Sequence, residues 1–472
     1  MPHHMRILLP ASRARRTAGA LMAAGLSALS VACSDAPTNV RLVDRPSLGK
    51  TPAGPAVTSA SPAYARRDTT LDVHVFGSGF TAGAAAEWAL AGVPNAAKVR
   101  TNSTTVVSAS ELVANITVSA DADLAYWDIA VTLIGGKKGV GTEKFEVTTA
   151  QVLGGGIGGY VMGASEQVSA VGYGDLSGAW VYDNISGAAV DLGAGQAWGI
   201  DPTGTVALGR DGGFVAVAWT RDMSSGQWTR QTLPGFSGSG GGNATSAAIA
   251  SDGTLLAGGW LAVTVARNQV NRPVVWRRAN GAWDPQPIQY ALPGAAASIY
   301  DVNEAGQAAG RTTSAGGTVQ GVVWNNATTY ALLDGIAYAI NPAGTVVVGQ
   351  RAGTPVYWYR NGMTWAGNVV GTPLPSLSSS CAGGRAQDVN SAGIIVGYSC
   401  STGGKNQGTV WRLDLSGPPP TLAGAPSRLS GLGQVGSGSD NTIAVAITSV
   451  QPYFAVGYVA TGNNVTVRWP IP

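Results

Sequence analysis

Ile340-Asn341-Pro342-Ala343-Gly344-Thr345-Val346-Val347-Val348-Gly349 reads as two short strands joined by a tight turn. An Asn heading such a turn bonds its side chain to nearby backbone, and the Pro behind it presets φ near about −65°. Gly in the fourth place supplies the left-handed conformation that follows a type I turn. The flanking runs Ile336–Ile340 and Thr345–Gly349 are therefore expected to pair antiparallel. The pattern recurs from Ile200-Asp201 through Gly204 to Gly209, from Val302-Asn303 through Gly306 to Gly310, and from Val389-Asn390 through Gly393 to Gly397. Weaker copies begin at Ile249 and Ile447, and a degenerate one runs from Val161 to Gly172.

A second marker follows each hairpin. Trp180, Trp219, Trp276, Trp324, Trp358, Trp411 and Trp469 each end a short apolar strand, as in Val322-Val323-Trp324. A fourth strand follows and often ends at Leu-Pro, as at Leu233-Pro234, Leu292-Pro293 and Leu374-Pro375. Four strands in units of roughly 40–50 residues are the period of a propeller blade. Residues 150–472 are thus expected to form a seven-bladed β-propeller, with an open solenoid as the alternative. The last unit ends on its third strand at Trp469-Pro470-Ile471-Pro472. An open ring would leave a bare sheet edge. Ala150–Gly154 is therefore expected to pair beside the final strand. The Trp-ended strands, Asn-x-x-Gly turns and strand-ending glycines resemble the HAF repeats of bacterial extracellular proteins, although this array has no histidine. The resemblance implies an exported scaffold and no settled activity.

Upstream, Leu71–Phe76 alternates apolar and polar residues as a half-buried strand does. Thr104–Val107, Asn115–Val118, Asp128–Thr132 and Lys144–Val147 are further short runs of strand type. Several strands in residues 56–149 predict a two-sheet sandwich. Pro62, Gly77-Ser78-Gly79-Phe80, Trp88, Ser108–Leu112, Ile116–Val118 and Phe145–Val147 resemble an IPT/TIG immunoglobulin-like domain, which implies a spacer or binding module. His74 falls on the polar phase of its strand and reads as a surface residue. The overall expectation is an all-β chain: an immunoglobulin-like sandwich followed by a propeller.

Arg6, Arg13, Arg15 and Arg16 precede an uncharged stretch from Thr17 to Ala32. A basic head and short apolar run form a secretion signal, too short for the roughly 20 residues of a membrane span. Small residues before Cys33 resemble a lipobox, so residues 1–33 are expected to be a lipoprotein signal peptide with Cys33 lipidated. Ordinary cleavage near Ala32 is the alternative. The prolines of residues 34–55 suggest a disordered tether. The implied location is the bacterial cell envelope, membrane-anchored and periplasmic or surface-exposed.

The net charge is +3, which gives no polybasic track and excludes nucleic acid as a partner. Residues 151–472 carry 15 acidic and 15 basic side chains and no histidine, so no Ser/His pair exists in the array. His and Cys are too few for a transition-metal cluster, and the spacing of a calcium loop is absent. The Gly154–Gly156 and Gly240–Gly242 runs lack the Lys-Ser/Thr of a phosphate loop. No cofactor is expected. Cys381 and Cys400 flank the Asn390 hairpin at near-equal distances and are expected to form a disulfide, the alternative being two free thiols. Asp301 and Asp388 occupy equivalent places in units four and six, where other units mostly carry Gly or Ala. They are the candidates for a carboxylate pair of the kind a glycosidase needs. Trp228, Trp283 and Trp365 recur after the third strand, for packing or for stacking on sugars. The expected function is a non-catalytic scaffold binding glycan or protein; the alternative is a polysaccharide-processing enzyme with carboxylates in the channel.

Overall fold

Regular structure is entirely β among the described residues of a computed structural model, which covers 54–472 except 156, 176–177, 382, 402–403, 434–440 and 461–462. The signal segment, Cys33 and nearly all of the 34–55 tether lie outside the described residues. Among the described residues no helix is long and apolar enough to cross a membrane.

The first module is a two-sheet sandwich. Ala56–Ser61, Thr69–Ser78, Glu111–Val118 and Val99–Ser108 form one sheet in that order. Tyr64–Arg66, Lys138–Thr148, Tyr126–Thr132, Ala85–Leu90 and Val93–Pro94 form the other. Alternation decides which residues enter the core. Leu112, Ala114, Ile116 and Val118 are buried and pack with Trp88, Trp127 and Phe145. His74 lies on the solvent side, with Nδ1 2.7 Å from Glu111 Oε1.

Seven further sheets follow, each a four-stranded antiparallel meander at its core. Their first strands are Tyr160–Ala164, Gly195–Ile200, Ser239–Ile249, Ala296–Val302, Ile336–Ile340, Gly384–Val389 and Asn441–Ile447. All seven line one cavity, which makes the array a ring of seven blades rather than an open spiral. The ring closes between the two ends of the array. Gln151–Val152 pairs antiparallel with Val465–Ile471, opposing Gln151 to Arg468 and Val152 to Val467. The seventh blade thus takes its outer strand from the start of the array.

The turns do what their residues dictate. Asn341 Oδ1 accepts the N–H groups of Thr345 and Val346 at 2.8 and 2.9 Å, and Gly344 has φ +64°. Asp201 and Asn390 hold their turns likewise. Their amides also reach further than a local reading foresees: Asn390 Nδ2 donates to Thr448 O of the next blade at 2.9 Å.

Every first strand carries a bulge that the sequence reading did not anticipate. The register slips at Met162, Trp198, Thr245, Tyr300, Tyr338, Gln387 and Val445 in turn. A bulged residue has no partner across the ladder and turns its side chain away from the regular alternation. All seven line the cavity.

The seven strand-end tryptophans are buried. In five blades the indole N–H donates to the segment leading into its own blade. Trp276 bonds Pro234 O and Trp411 bonds Pro375 O, both at 2.7 Å, so the Leu-Pro segments serve as acceptors between blades. Trp324, Trp358 and Trp469 bond Ala291 O, Asp334 Oδ1 and Ser430 O.

The Cys381–Cys400 disulfide is present, with Cα atoms 5.9 Å apart. The two cysteines are not opposite each other in the ladder, because the turn closes between Asn390 and Ile394 and so sets Cys400 against Gly383 even after the bulge has moved the pairing one place toward Cys381. Cys400 ends its strand and donates its N–H to Gly383 O, while Cys381 lies in the loop two residues earlier.

The sandwich is fastened to the ring. Glu146 is buried and accepts the N–H groups of Gly431 and Gly433, each at 2.8 Å, with Arg428 Nη2 at 3.3 Å. Thr148 Oγ1 lies 2.7 Å from Ser430 Oγ.

Candidate functional site

The axial cavity has a volume of about 310 Å³ and opens among the hairpin turns at one end. Asp301 and Asp388 both contribute to its wall, one residue beyond the bulge in blades four and six. The equivalent residues are Gly163, Gly199, Ser246, Ala339 and Ala446. A Cβ at Gly199 would stand 2.6 Å from Thr245 O of the next blade, which shows where this position points. Asp301 follows that direction: Oδ2 accepts the N–H of Ile340 in blade five at 2.9 Å, and Oδ1 accepts the N–H of Val302 at 2.9 Å. Asp388 does the same toward blade seven, accepting from Ile447 at 2.9 Å and Val389 at 2.7 Å. Each carboxylate therefore clamps one inner strand to the next. Burial, with the charge of Asp388, raises Asp301 to about 7 despite the backbone donors that oppose the shift. Burial, with a contribution from Glu166, raises Asp388 to about 6. Glu166 itself closes the ring, its Oε2 accepting Ser449 N and Val450 N at 2.6 and 3.1 Å.

Beside the other ends of the same first strands lies a collar of planar side chains. The second strand of every blade has a Gly followed by one half-buried or exposed residue: Tyr173, Arg210, Trp260, Arg311, Gln350, Tyr398 and Tyr458. The seven are structurally equivalent. Each sits one step past the glycine, near the start of the first strand, and their ladder partners include Tyr160, Gln196 and Arg385. None is acidic or aliphatic.

Contacts tie this collar to the bulged residues. Tyr173 lies 5.9 Å from Trp198 and 5.6 Å from Tyr160, which meets Tyr458 edge-on at 5.7 Å. Tyr300 and Tyr338 stack at 5.8 Å with an 11° interplanar angle. Arg385 lies 4.4 Å over the Tyr338 ring and Arg311 5.8 Å over that of Tyr300. Burial, with the phenols of Tyr160, Tyr398 and Tyr173 around it, pushes Tyr458 up to about 12. Burial raises Tyr300 and Tyr338 too, against the nearby guanidiniums of Arg311 and Arg385. These phenols stay protonated and available as hydrogen-bond donors at neutral pH.

Such an arrangement offers flat faces, hydroxyl donors and cations around one end of the ring. It is suited to gripping a ring-bearing ligand. The sequence reading located Asp301 and Asp388 but missed the collar. The signal was visible in six units, where the residue after the motif-ending glycine is planar; in the third the pattern was read to Gly258, one place short of the equivalent Gly259. The extra tryptophans lie elsewhere. Trp283 and Trp365 are buried, and Trp365 donates to Gly344 O at 3.0 Å, so they pack rather than present a face. Trp228 is half-buried and packs with Trp219 and Leu192. No group of three or more metal-ligating side chains occurs among the described residues.

No family model matches the chain, and no curated protein matches it. Some solved structures are similar to it. A protein of unknown function from Bacteroides thetaiotaomicron is 11% identical, with 89% of this chain and 98% of that chain covered and a TM-score of 0.36. The β-propeller domain of Myceliophteria thermophila Cps50 (Swd1) is 9% identical over 68% of this chain and 99% of that one, with a TM-score of 0.41. An acylaminoacyl peptidase from Pyrococcus horikoshii is 8% identical over 87% of this chain and 52% of that one, with a TM-score of 0.33. At these scores the likenesses carry no inference about activity.

Proposed function

We propose that this chain is a non-catalytic binding protein of the bacterial cell envelope, lipid-anchored through Cys33, that grips a glycan at the collar of its propeller. The observation that carries the reading is the repeated position after the strand-ending glycine, filled in all seven blades by Tyr, Trp, Arg or Gln. A position needed only for packing in a β-ring would accept Val or Ile in some blades, as the neighbouring buried positions do. A circle of flat faces and hydroxyl donors suits sugar rings, with their C–H faces and hydroxyls, better than the apolar core of a protein epitope. The likenesses to IPT/TIG domains and HAF repeats support an exported scaffold, and the Glu146 fastening makes the sandwich a fixed platform beside the ring.

The second reading is a polysaccharide-processing enzyme using Asp301 and Asp388. Their shared cavity and raised protonation favour it. Against it, both oxygens of each carboxylate are occupied by backbone N–H groups, so neither is free to act on a bond without breaking a blade clamp. A glycan array probed with the wild-type chain and with Tyr398→Ala tests the binding reading. Retention of saccharides by the wild type and its loss in the variant are expected. Equal retention by both removes the collar from the account, and release of shortened saccharides favours the enzyme.

A further inference from the structure

We infer that the ligand of the collar is an acidic saccharide, an oligomer of sugar rings bearing carboxylate or sulfate groups that meet Arg210, Arg311 and Arg385. This rests on the binding reading above and adds the ligand's chemistry to it.

Five ring arginines, Arg221, Arg230, Arg277, Arg351 and Arg428, each have a carboxylate within 4 Å. Arg210 and Arg311 of the collar, and Arg385 across the ladder from Tyr398, have none among the described residues; Arg272, Arg278 and Arg360 share that lack, and the three differ from them by their place in or beside the collar. Arg210 donates to the neutral Gln196 Oε1 at 2.6 and 2.9 Å and lies 4.6 Å over the Phe214 ring. Arg385 rests on Tyr338, and its Nε has no hydrogen-bond partner among the described residues. Arg311 is exposed beside Tyr300. No acid stands at any equivalent position, so the collar holds these guanidiniums against aromatic faces, while the carboxyls of Glu166, Asp301, Glu304 and Asp388 lie apart, on the cavity wall.

Guanidinium groups bind carboxylate and sulfate through paired, charge-assisted hydrogen bonds. Stacking on a ring keeps the guanidinium plane fixed while leaving its edge N–H groups free. The rings between the arginines offer faces to the C–H surfaces of pyranose units. Below the collar, Asp301 and Asp388 line the wall, and any charge they carry repels an anion from the cavity floor. The ligand's acidic groups are thereby kept at the level of the arginines. A nucleic acid strand would need a continuous basic track, which a chain of net charge +3 does not supply.

The test uses the full chain on an array of matched acidic and neutral oligosaccharides, followed by titration calorimetry with the best acidic oligomer and its neutral counterpart. The acidic oligomer is expected to bind at least about tenfold more tightly than the neutral one, with affinity falling as salt rises. The double variant Arg311→Gln, Arg385→Gln is expected to lose that preference with its thermal midpoint unchanged. Equal binding of both oligomers, unaffected by the arginine changes, overturns the acidic assignment and leaves the collar as a sugar site. Binding of no saccharide overturns both, and retention of nucleoside triphosphates in place of saccharides does the same.

Discussion

The Cβ that Gly349 lacks would stand 2.0 Å from the carbonyl oxygen of Ile336. The same encounter is found at the equivalent glycine of every blade, at 2.0 or 2.1 Å: Gly172, Gly209, Gly259, Gly310, Gly397 and Gly457. None of these glycines needs a left-handed φ. They are required because the bulge presses the first strand's carbonyl against the second strand. Gly349→Ala is expected to cost several kcal/mol, on the order of 3, because backbone must move to admit the methyl. Gly240, with nothing near its Cβ direction, is the control, and Gly240→Ala should change stability little. Thermal unfolding of the two variants checks this; equal midpoints would refute it.

Glu166 joins the first blade to the last through Ser449 N and Val450 N. Glu166→Ala leaves two backbone donors without this acceptor and is expected to cost about 1–3 kcal/mol. Hydrogen exchange should quicken at Ser449 and Val450 and stay unchanged in blade four. Uniform exchange across the ring would contradict the local role.

Asp301 and Asp388 set a pH dependence of stability. Both carboxyls are raised from 3.8, to about 7 and about 6, so the native state holds protons that the unfolded chain has released. Stability should therefore be greater near pH 4 as far as these two groups contribute, and fall as pH rises through the window from about 4 to 7. Asp301→Asn removes part of that slope. It also sets an amide N–H₂ against one backbone donor, at a cost of about 1–3 kcal/mol. Urea midpoints at several pH values, for wild type and variant, measure both effects. A slope unchanged in the variant would show that Asp301 does not titrate there.

Reduction of Cys381–Cys400 opens a loop of 19 residues in separation. A constraint of that length is worth about 3 kcal/mol in the chain-entropy account. The paired substitution Cys381→Ser, Cys400→Ser should lower the midpoint, and added reductant should have no further effect on it.

Glu146 is buried where the sandwich meets the ring. Glu146→Gln keeps one acceptor oxygen but faces Gly431 N or Gly433 N with an amide, and is expected to uncouple the modules. Calorimetry should then resolve two transitions where the wild type shows closer coupling. One unchanged transition would contradict the fastening.

What was legible in the sequence followed from local chemistry. Asn341, Pro342 and Gly344 fix a turn on their own, and Trp358 marks a strand end wherever it recurs, so the blades and their number could be read directly. Ring closure through Gln151–Val152 followed from the unpaired edge that Trp469 would otherwise leave. The bulges were hidden because an extra residue in one strand becomes visible only against its partner. That slip moved the residue facing Cys400 from Gly384 to Gly383, two places from Cys381. It also turned Tyr300 and Tyr338 toward the axis, where a regular alternation would not place them. Glu146 and Glu166 make contacts more than 280 residues away, and no local pattern announces them. Asp301 and Asp388 stood out by position, but their use as blade clamps depends on the backbone of the next unit.

The most direct test of the account is a crystal structure of the full chain with a bound acidic oligosaccharide. The account predicts density for intact sugar rings against Tyr300 and Tyr338, with the acidic groups on Arg311 and Arg385. Density confined to the hairpin-turn end beside Asp301 and Asp388, or a shortened saccharide in the cavity, would contradict it.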